Sequence, residues 1–285
     1  MKKSFFLPGA VSLLGLLAAC NNQQPAAETT KGTDTTASAT ANGPKIREDA
    51  VSYTAGDLTM NSFVAWDETS DKKRPAILVI PEWWGLNDYA KGRAKQLAEL
   101  GYIAMAVDFY GNGKTADNPD SAGKLAMPFY KDIPLAKSHF DAALAKLKSY
   151  PQADTAQIAA IGYCFGGAQV LNMARLGEDL KGVVSFHGNL AGVPADKKLL
   201  KAKILVCHGE ADQFVKPAEV TAFKKQMDAI GADYTLKTYP GATHAFTNPN
   251  STAVGEKFKM PIAYNAAADT ASWAEMKTFF GKIFH

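Results

Sequence analysis

The residues with the clearest chemical potential are Cys164, Asp212 and His244, which follow one another in the order nucleophile, acid and base. Cys164 stands in a Gly-x-Cys-x-Gly pattern between an apolar run and a segment with helical spacing. Small residues on both sides of a nucleophile permit the sharp strand-to-helix turn that exposes its side chain. The positive end of the following helix dipole also favours a thiolate. The pattern therefore predicts a nucleophilic cysteine.

These three residue types together suit acyl transfer. In this interpretation, His244 exchanges protons with Cys164, while Asp212 fixes the imidazole tautomer and stabilises its charged form. The backbone N–H of Phe165, at the start of the helix, is predicted to bind the oxyanion that forms on the substrate. The alternative is that Cys164 is a buried structural residue in a glycine-rich turn, since free cysteine is often buried.

Histidine and cysteine residues outside this set indicate no second site. The chain has five histidines and three cysteines. No two of them are spaced like metal ligands, so we expect neither a metal nor another cofactor. His187 ends a predicted strand without an acid at useful spacing, and His208 is interpreted as a hydrogen-bonded structural residue. Cys207 is interpreted as a small buried residue, although a disulfide between Cys164 and Cys207 would indicate thiol redox chemistry.

The elements that must position these residues alternate along the chain. Short continuous apolar runs predict strands that are buried on both faces. They lie at residues 76–81, 102–108, 158–163, 182–187, 204–208 and 234–239. Helical spacing of apolar residues appears between them and at the chain end, at residues 140–147, 169–175, 220–230 and 273–280. The alternation predicts an α/β fold, with a mostly parallel sheet and helices on both faces.

An antiparallel hairpin is predicted to precede this sheet. Residues 50–54 and 58–66 alternate apolar and polar side chains around a Gly56-Asp57 turn. A (β/α)8 barrel is the competing architecture, but the hairpin and the lack of eight regular units count against it. In an open parallel sheet, reactive groups belong at the carboxyl ends of the strands. Most of the candidate catalytic residues follow predicted strands.

Several of these strand ends together resemble the dienelactone hydrolase family of the α/β-hydrolase superfamily. The similar segments are residues 81–87 (Pro-Glu-Trp-Trp-Gly-Leu-Asn), 108–111 (Asp-Phe-Tyr-Gly), 162–167 (Gly-Tyr-Cys-Phe-Gly-Gly), 208–212 and 241–246. The resemblance extends over residues 46–285. It implies an α/β-hydrolase fold and a hydrolase of small esters or lactones that works through Cys164, His244 and Asp212.

The resemblance also implies roles for residues near the predicted cysteine. Glu82 matches a family glutamate that helps to generate the thiolate when substrate binds. A carboxylate in a closed apolar pocket can take that proton, because desolvation raises its proton affinity. The amide of Trp83 matches the second oxyanion-hole donor. The alternatives for Glu82 are a solvated loop acid or a cap of the helix predicted at residues 88–100.

Substrate selectivity is expected to differ from that of the characterised family members. Those enzymes hold a substrate carboxylate with two arginines, whereas residues 111–114 and 247–249 contain none. An amide or a flexible lysine does not replace a bidentate guanidinium. We therefore expect dienelactone itself to be a poor substrate. Aromatic residues are predicted to line the pocket, among them Trp84, Tyr110 and Phe246. A non-catalytic binding module that keeps the hydrolase fold is the second hypothesis.

The N-terminus carries a targeting pattern. Two lysines precede an apolar run at residues 5–19, which is too short for a membrane span and ends in Leu-Ala-Ala-Cys20. This resembles the bacterial lipobox. It predicts a signal peptide at residues 1–19, lipidation of Cys20, a flexible tether at residues 20–45 and a lipid-anchored protein of the outer membrane that faces the periplasm. The alternative is an ordinary signal peptide cleaved near Ala19.

Composition limits the partners of the folded body. Of the 285 residues, 47% are apolar and 21% are charged, which excludes collagen-like and fully disordered chains. The formal net charge of +3 is too small for a nucleic-acid-binding surface. The expected partners are therefore a small-molecule substrate and, through the lipid anchor, a membrane.

Overall fold

The computed structural model describes residues 43–284. The predicted signal peptide, the lipidated Cys20 and all but the last residues of the predicted tether lie outside this range. No helix within the described range is long and apolar enough to cross a membrane.

One mixed sheet forms the centre of the protein. Its strands are β1 (Ile46–Ala55), β2 (Leu58–Asp67), β3 (Arg74–Ile80), β4 (Ile103–Ala106), β5 (Ala153–Tyr163), β6 (Gly182–Phe186), β7 (Lys203–Gly209) and β8 (Tyr234–Tyr239). The spatial order is β1-β2-β4-β3-β5-β6-β7-β8. The pairs β1–β2 and β2–β4 are antiparallel and all others are parallel. The predicted α/β-hydrolase architecture with its opening hairpin is confirmed, and the barrel alternative is wrong.

Helices cover both faces of this sheet. They are α1 (Asp88–Glu99), α2 (Pro119–Lys131), α3 (Ile133–Lys148), α4 (Phe165–Leu176), α5 (Pro217–Ile230), α6 (Ser251–Phe258) and α7 (Ala266–Ile283). The sequence patterns did not predict α2 and α6. The first buries only Ala122, Ala126 and Phe129 and contains a proline, and the second has eight residues. Neither helix therefore shows the long apolar stripe on which such predictions depend.

Two hydrophobic cores hold the sheet between its helices. Successive side chains of β3 point to opposite faces of the sheet, so that Leu78 lies in one core and Val79 in the other. The first core packs apolar side chains of α2, α3, α4 and α5 against the sheet. The second packs those of α1 and α7. Burial on both faces explains why the strands are continuous apolar runs, and it leaves their carboxyl ends as the place for polar chemistry.

Candidate active site

Cys164 sits on the sharp turn between β5 and α4. Its backbone has a φ of +52°, which a non-glycine residue adopts only at a cost of about 1 kcal/mol or more. The turn is possible because Gly162 and Gly166 leave no room for side chains. A Cβ on Gly162 would stand 2.1 Å from the carbonyl oxygen of Gly166, and one on Gly166 would stand 2.2 Å from the carbonyl oxygen of Ile80. The sharp strand-to-helix turn that the sequence predicts at Cys164 is therefore present.

Asp212 and His244 form a buried hydrogen-bonded pair. Nδ1 of His244 donates to Oδ2 of Asp212 at 2.8 Å. The other carboxylate oxygen accepts the backbone N–H groups of Phe214 and Val215, at 2.8 and 3.1 Å. The carboxylate is thereby held in place by the loop that follows β7. These contacts fix the orientation of the imidazole, with Nδ1 on the carboxylate and Nε2 left for Cys164.

Electrostatics favour a protonated His244 opposite Cys164. Burial acts to lower the pKa of His244, but the negative charge of the Cys164 sulfur and the bond to Asp212 raise it to about 10. Burial likewise acts to raise the pKa of Asp212, yet hydrogen bonding by His244 and the nearby amides holds it below its usual value. A negative charge on the Cys164 sulfur and the bond to Asp212 therefore both stabilise the protonated imidazole.

Glu82 lies in the loop after β3, only 3% exposed, and lines the same cavity as Cys164 and His244. Its Oε2 accepts a hydrogen bond from Nδ2 of Asn248 at 2.7 Å. Burial raises the pKa of Glu82 to about 7. Both alternatives for this residue are wrong, because it is not solvated and α1 is capped by Asn87. The sequence shows only that residues 247–249, which include Asn248, contain no arginine. It does not predict the hydrogen bond between Asn248 and Glu82.

The two amides predicted to form the oxyanion hole flank this site. Trp83 follows Glu82 in the loop, and Phe165 is the first residue of α4. Within residues 43–284, neither backbone N–H donates to a protein group. Free amides at a helix N-terminus and in an adjacent loop suit a developing negative charge.

A cavity of about 440 Å³ opens onto Cys164, Glu82 and His244. Its wall is mainly apolar. The side chains that shape it are Trp83, Trp84, Ala126, Met127, Tyr130, Phe214, Met260 and Ile262. Trp84, which the sequence predicts for the substrate pocket, lines this cavity. Among the described residues that line the cavity there is no lysine or arginine. Met127 and Phe214 are large apolar side chains that remain 45% and 44% exposed, respectively.

Two of the aromatic residues predicted for the pocket lie elsewhere. Phe246 is fully buried and packs against Tyr239 and His187 in the second core. Tyr110 is nearly buried behind the cavity wall, where its hydroxyl donates to the carbonyl of Trp83 at 2.9 Å. Met127, Tyr130 and Phe214 take their place in the wall. Sequence reasoning included Tyr130 among the aromatic candidates for the pocket. It missed Met127, which lies on the unpredicted α2, and Phe214, which lies in a loop.

Cys164 and Cys207 are both free thiols, which contradicts the disulfide alternative. Cys207 is fully buried, and burial raises its pKa to about 12, as expected of an inert core residue. Across residues 43–284, no cluster of three His, Cys, Asp or Glu side chains is placed to hold a metal ion.

Comparison with known proteins places this site in a family. The sequence profile of the Dienelactone hydrolase family matches residues 60–284. Protein usf of Aquifex pyrophilus is 33% identical over 196 residues, which cover 67% of this chain and 84% of that protein. An Aquifex aeolicus protein named "Putative carboxymethylenebutenolidase" is 33% identical over 179 residues, which cover 61% of this chain and 77% of that protein.

Solved structures agree with this match. The crystal structure of a dienelactone hydrolase-like promiscuous phosphotriesterase from metagenomic libraries superposes with a TM-score of 0.79 at 33% identity. The superposition covers 84% of this chain and 99% of that one. The profile spans most of the chain, and the fold is the one that the family uses. The chain therefore belongs to the dienelactone hydrolase family of the α/β-hydrolase superfamily.

Proposed function

We propose that this hydrolase cleaves small, uncharged esters and lactones with Cys164 as nucleophile, His244 and Asp212 as its triad partners, and the carboxylate of Glu82 as an assisting group. The observation that carries the proposal is the common cavity. It brings Cys164, His244 and Glu82 together from three separate loops, with Asp212 directly behind the imidazole. Such a convergence of a nucleophile, a base and an orienting acid is the arrangement that acyl transfer requires.

The proposed reaction has two stages. The thiolate of Cys164 attacks the substrate carbonyl carbon, and the amides of Trp83 and Phe165 bind the resulting oxyanion. Collapse of this intermediate breaks the C–O bond, and the leaving alkoxide takes the proton of His244. Water then attacks the thioester while His244 accepts its proton, and the carboxylic acid and the thiolate are released. In the resting enzyme, Glu82 is the buried group that can accept the thiol proton.

The cavity favours uncharged acyl groups. Its wall supplies no lysine or arginine, its acidic member is Glu82, and the imidazole of His244 is bonded to Asp212, so a substrate carboxylate would lose hydration without gaining a guanidinium or ammonium partner. We expect kcat/KM for p-nitrophenyl butyrate to exceed that for mono-p-nitrophenyl succinate, which has the same acyl length, by at least about tenfold. Stopped-flow assays of the full-length chain measure both. Mass spectrometry of the quenched reaction should locate the acyl group on Cys164, and equal rates for the two esters would contradict the assignment.

A second candidate activity is phosphotriester hydrolysis. The metagenomic structure that resembles this chain is named a promiscuous phosphotriesterase. An uncharged triester with an aromatic leaving group also suits an apolar cavity that contains no lysine or arginine. Diethyl p-nitrophenyl phosphate belongs in the same substrate panel. Turnover of this compound above that of the butyrate ester would make the phosphotriester, rather than the carboxylic ester, the preferred class.

We propose further that the protein is anchored in the bacterial envelope through a lipid on Cys20. The support for this proposal is the lipobox-like sequence Leu-Ala-Ala-Cys after an apolar run. The full-length chain, expressed in a bacterium with labelled palmitate, should carry the label and sediment with membranes. The Cys20→Ala variant should lose both properties. Label that persists in this variant would overturn the proposal.

A further inference from the structure

His187 is a buried histidine at the carboxyl end of β6, next to the nucleophile turn. It is 1% exposed and has a φ of +43°, so two strained non-glycine residues, His187 and Cys164, meet at this edge of the sheet. Backbone strain at a buried position persists only where the surrounding contacts impose it. The catalytic steps proposed above leave His187 without a role.

The imidazole of His187 receives a hydrogen bond from the nucleophile's own backbone. The N–H of Cys164 donates to Nδ1 of His187 at 3.1 Å, and it also lies 3.0 Å from the carbonyl oxygen of Phe186. A ring nitrogen that accepts an amide proton carries no proton itself. The geometry therefore requires a neutral ring, and burial agrees with it because it lowers the pKa of His187 well below the ordinary value.

The second ring nitrogen fixes this tautomer. Nε2 of His187 lies 2.7 Å from Oγ1 of Thr247. Since Nδ1 is an acceptor, Nε2 holds the ring's proton and donates it to the threonine. The same hydroxyl lies 2.6 Å from the hydroxyl of Tyr89, so Thr247 can accept from His187 and donate its own proton to Tyr89.

His187 thereby connects two parts of the active site. Thr247 stands three residues after His244 on the loop that carries the base, and the ring of His187 packs edge-on against the ring of His244 at 5.4 Å between centroids. Cys164 stands on the opposite element, at the start of α4. One fixed imidazole spans the distance between the nucleophile turn and the loop of the base.

We propose that His187 is a positioning residue that sets the direction of the Cys164 thiol and of the neighbouring Phe165 amide through the hydrogen bond from the Cys164 backbone to Nδ1. The inference rests on the proposed function, because it assigns His187 to the same site. Loss of the bond removes one of the two acceptors that hold the Cys164 amide and leaves only the carbonyl of Phe186. A displacement of about 1 Å at a nucleophile costs roughly a hundredfold in rate. The effect belongs in kcat, since the cavity wall that binds substrate is unchanged.

Two variants at this position separate the hydrogen bond from the backbone strain. Asparagine and glycine both tolerate a positive φ, but only His187→Asn keeps an acceptor oxygen near the place of Nδ1. For His187→Gly we expect kcat for p-nitrophenyl butyrate to fall by about 10- to 100-fold with KM within about threefold of wild type. His187→Asn should recover at least about tenfold of that loss. Equal kcat values in the two folded variants would overturn the proposal.

A third variant keeps the histidine and removes only its restraint. Thr247→Val is nearly isosteric, and it leaves Nε2 without an acceptor, so the ring can adopt the tautomer that no longer accepts the Cys164 N–H. We expect kcat to fall by about 3- to 10-fold. This variant decides the matter if His187→Gly does not fold, because an unchanged kcat in Thr247→Val would contradict the fixed tautomer.

Two readouts do not depend on ester turnover. Long-range ¹H–¹⁵N correlation of labelled imidazoles should show His187 with an unprotonated Nδ1 and a protonated Nε2, assigned by its loss in His187→Asn. The rate of Cys164 alkylation by iodoacetamide should be highest in the wild type, lower in His187→Asn and lowest in His187→Gly. A protonated Nδ1 would refute the inference by itself. If the alkylation rates of the three proteins follow this order but the wild type cleaves no ester, the proposed function fails and the positioning role stands.

Discussion

Replacement of Cys164 by alanine is expected to lower the turnover of p-nitrophenyl butyrate by at least about 10³-fold. Alanine cannot form the thioester, so only the oxyanion amides and binding remain to accelerate attack by water. Cys164 is only partly buried, at the edge of the first core, and alanine removes only its sulfur. The fold should therefore persist. Initial rates and circular dichroism of the same preparation measure the two properties. Wild-type activity in the alanine variant would make the mechanism wrong.

Serine at the same position provides a matched control. Cys164→Ser keeps the size, the turn and a nucleophilic oxygen, but a hydroxyl is far less acidic than a thiol. A negatively charged sulfur at Cys164 is one of the causes that raise the pKa of His244, and a neutral hydroxyl does not supply that charge. We expect a loss of about 10²-fold or more, with the fold intact. Recovery of full activity would show that the site is not adapted to sulfur.

The same cysteine separates the enzyme from a binding module with a retained fold. An activated thiol should react stoichiometrically with iodoacetamide at neutral pH, while the buried Cys207 should stay unlabelled until the protein unfolds. Peptide mapping identifies which thiol has reacted. A Cys164 that is inert in folded protein, together with no turnover of any ester tested, would favour the binding module.

The second large effect is expected at Glu82, with opposite signs for stability and activity. In the unfolded chain this carboxyl titrates near 4.5, whereas burial raises its pKa to about 7 in the fold. Between these values, the folded state binds the proton and the unfolded state does not. Wild-type stability therefore falls as pH rises through this window, by about 3 kcal/mol in total. Glu82→Gln removes this cost and should be more stable than wild type at pH 8 by up to that amount.

The pH dependence provides the test of this stability difference. At pH 4.5 and below, both side chains are neutral in the fold, and the two proteins should unfold at similar denaturant concentrations. Glutamine can still accept the hydrogen bond of Asn248 through its carbonyl oxygen. Glu256→Gln is the matched control, because Glu256 is exposed and its removal should leave the difference near zero at both pH values. A Glu82→Gln protein less stable than wild type at pH 8 would contradict the buried-charge argument.

Activity should respond to the same substitution in the other direction. Glutamine cannot accept the thiol proton, so kcat/KM at pH 7 is expected to fall by about 10²-fold. The limb of the pH–rate profile near pH 7 should disappear with it. Turnover close to wild type in Glu82→Gln would leave His244 as the only proton acceptor of Cys164.

The fold was largely predictable because buried parallel strands and their helices leave strong patterns. Apolar periodicity predicts the opening hairpin, the alternation of strands and helices, and the boundaries of β8 at residues 234–239. Helix α2 was not predicted, since its apolar positions are few and its buried face meets the core only through small residues and Phe129. Its packing depends on contacts that are distant in sequence.

The candidate site was predictable for reactive residues that directly follow a strand. It was not predictable where the direction of a side chain in a loop determines its role. Cys164, Asp212 and His244 were found because each stands just after an apolar run. Phe246 was assigned to the pocket, but its loop turns its ring into the second core, and no sequence pattern records that turn. His187 was passed over for lack of an acid partner, whereas its partners are a backbone amide and a threonine hydroxyl.

The hydrogen bond between Glu82 and Asn248 has a consequence for folding. It joins residues 166 positions apart, and most of the sheet lies between them in the chain. Contacts of such separation form late, because the entropy of closing a long loop opposes them until other interactions are in place. A partly folded chain can therefore have a formed elbow at Cys164 and still lack the C-terminal loop that holds the acid. Catalytic competence should consequently appear after the bulk of the secondary structure during refolding.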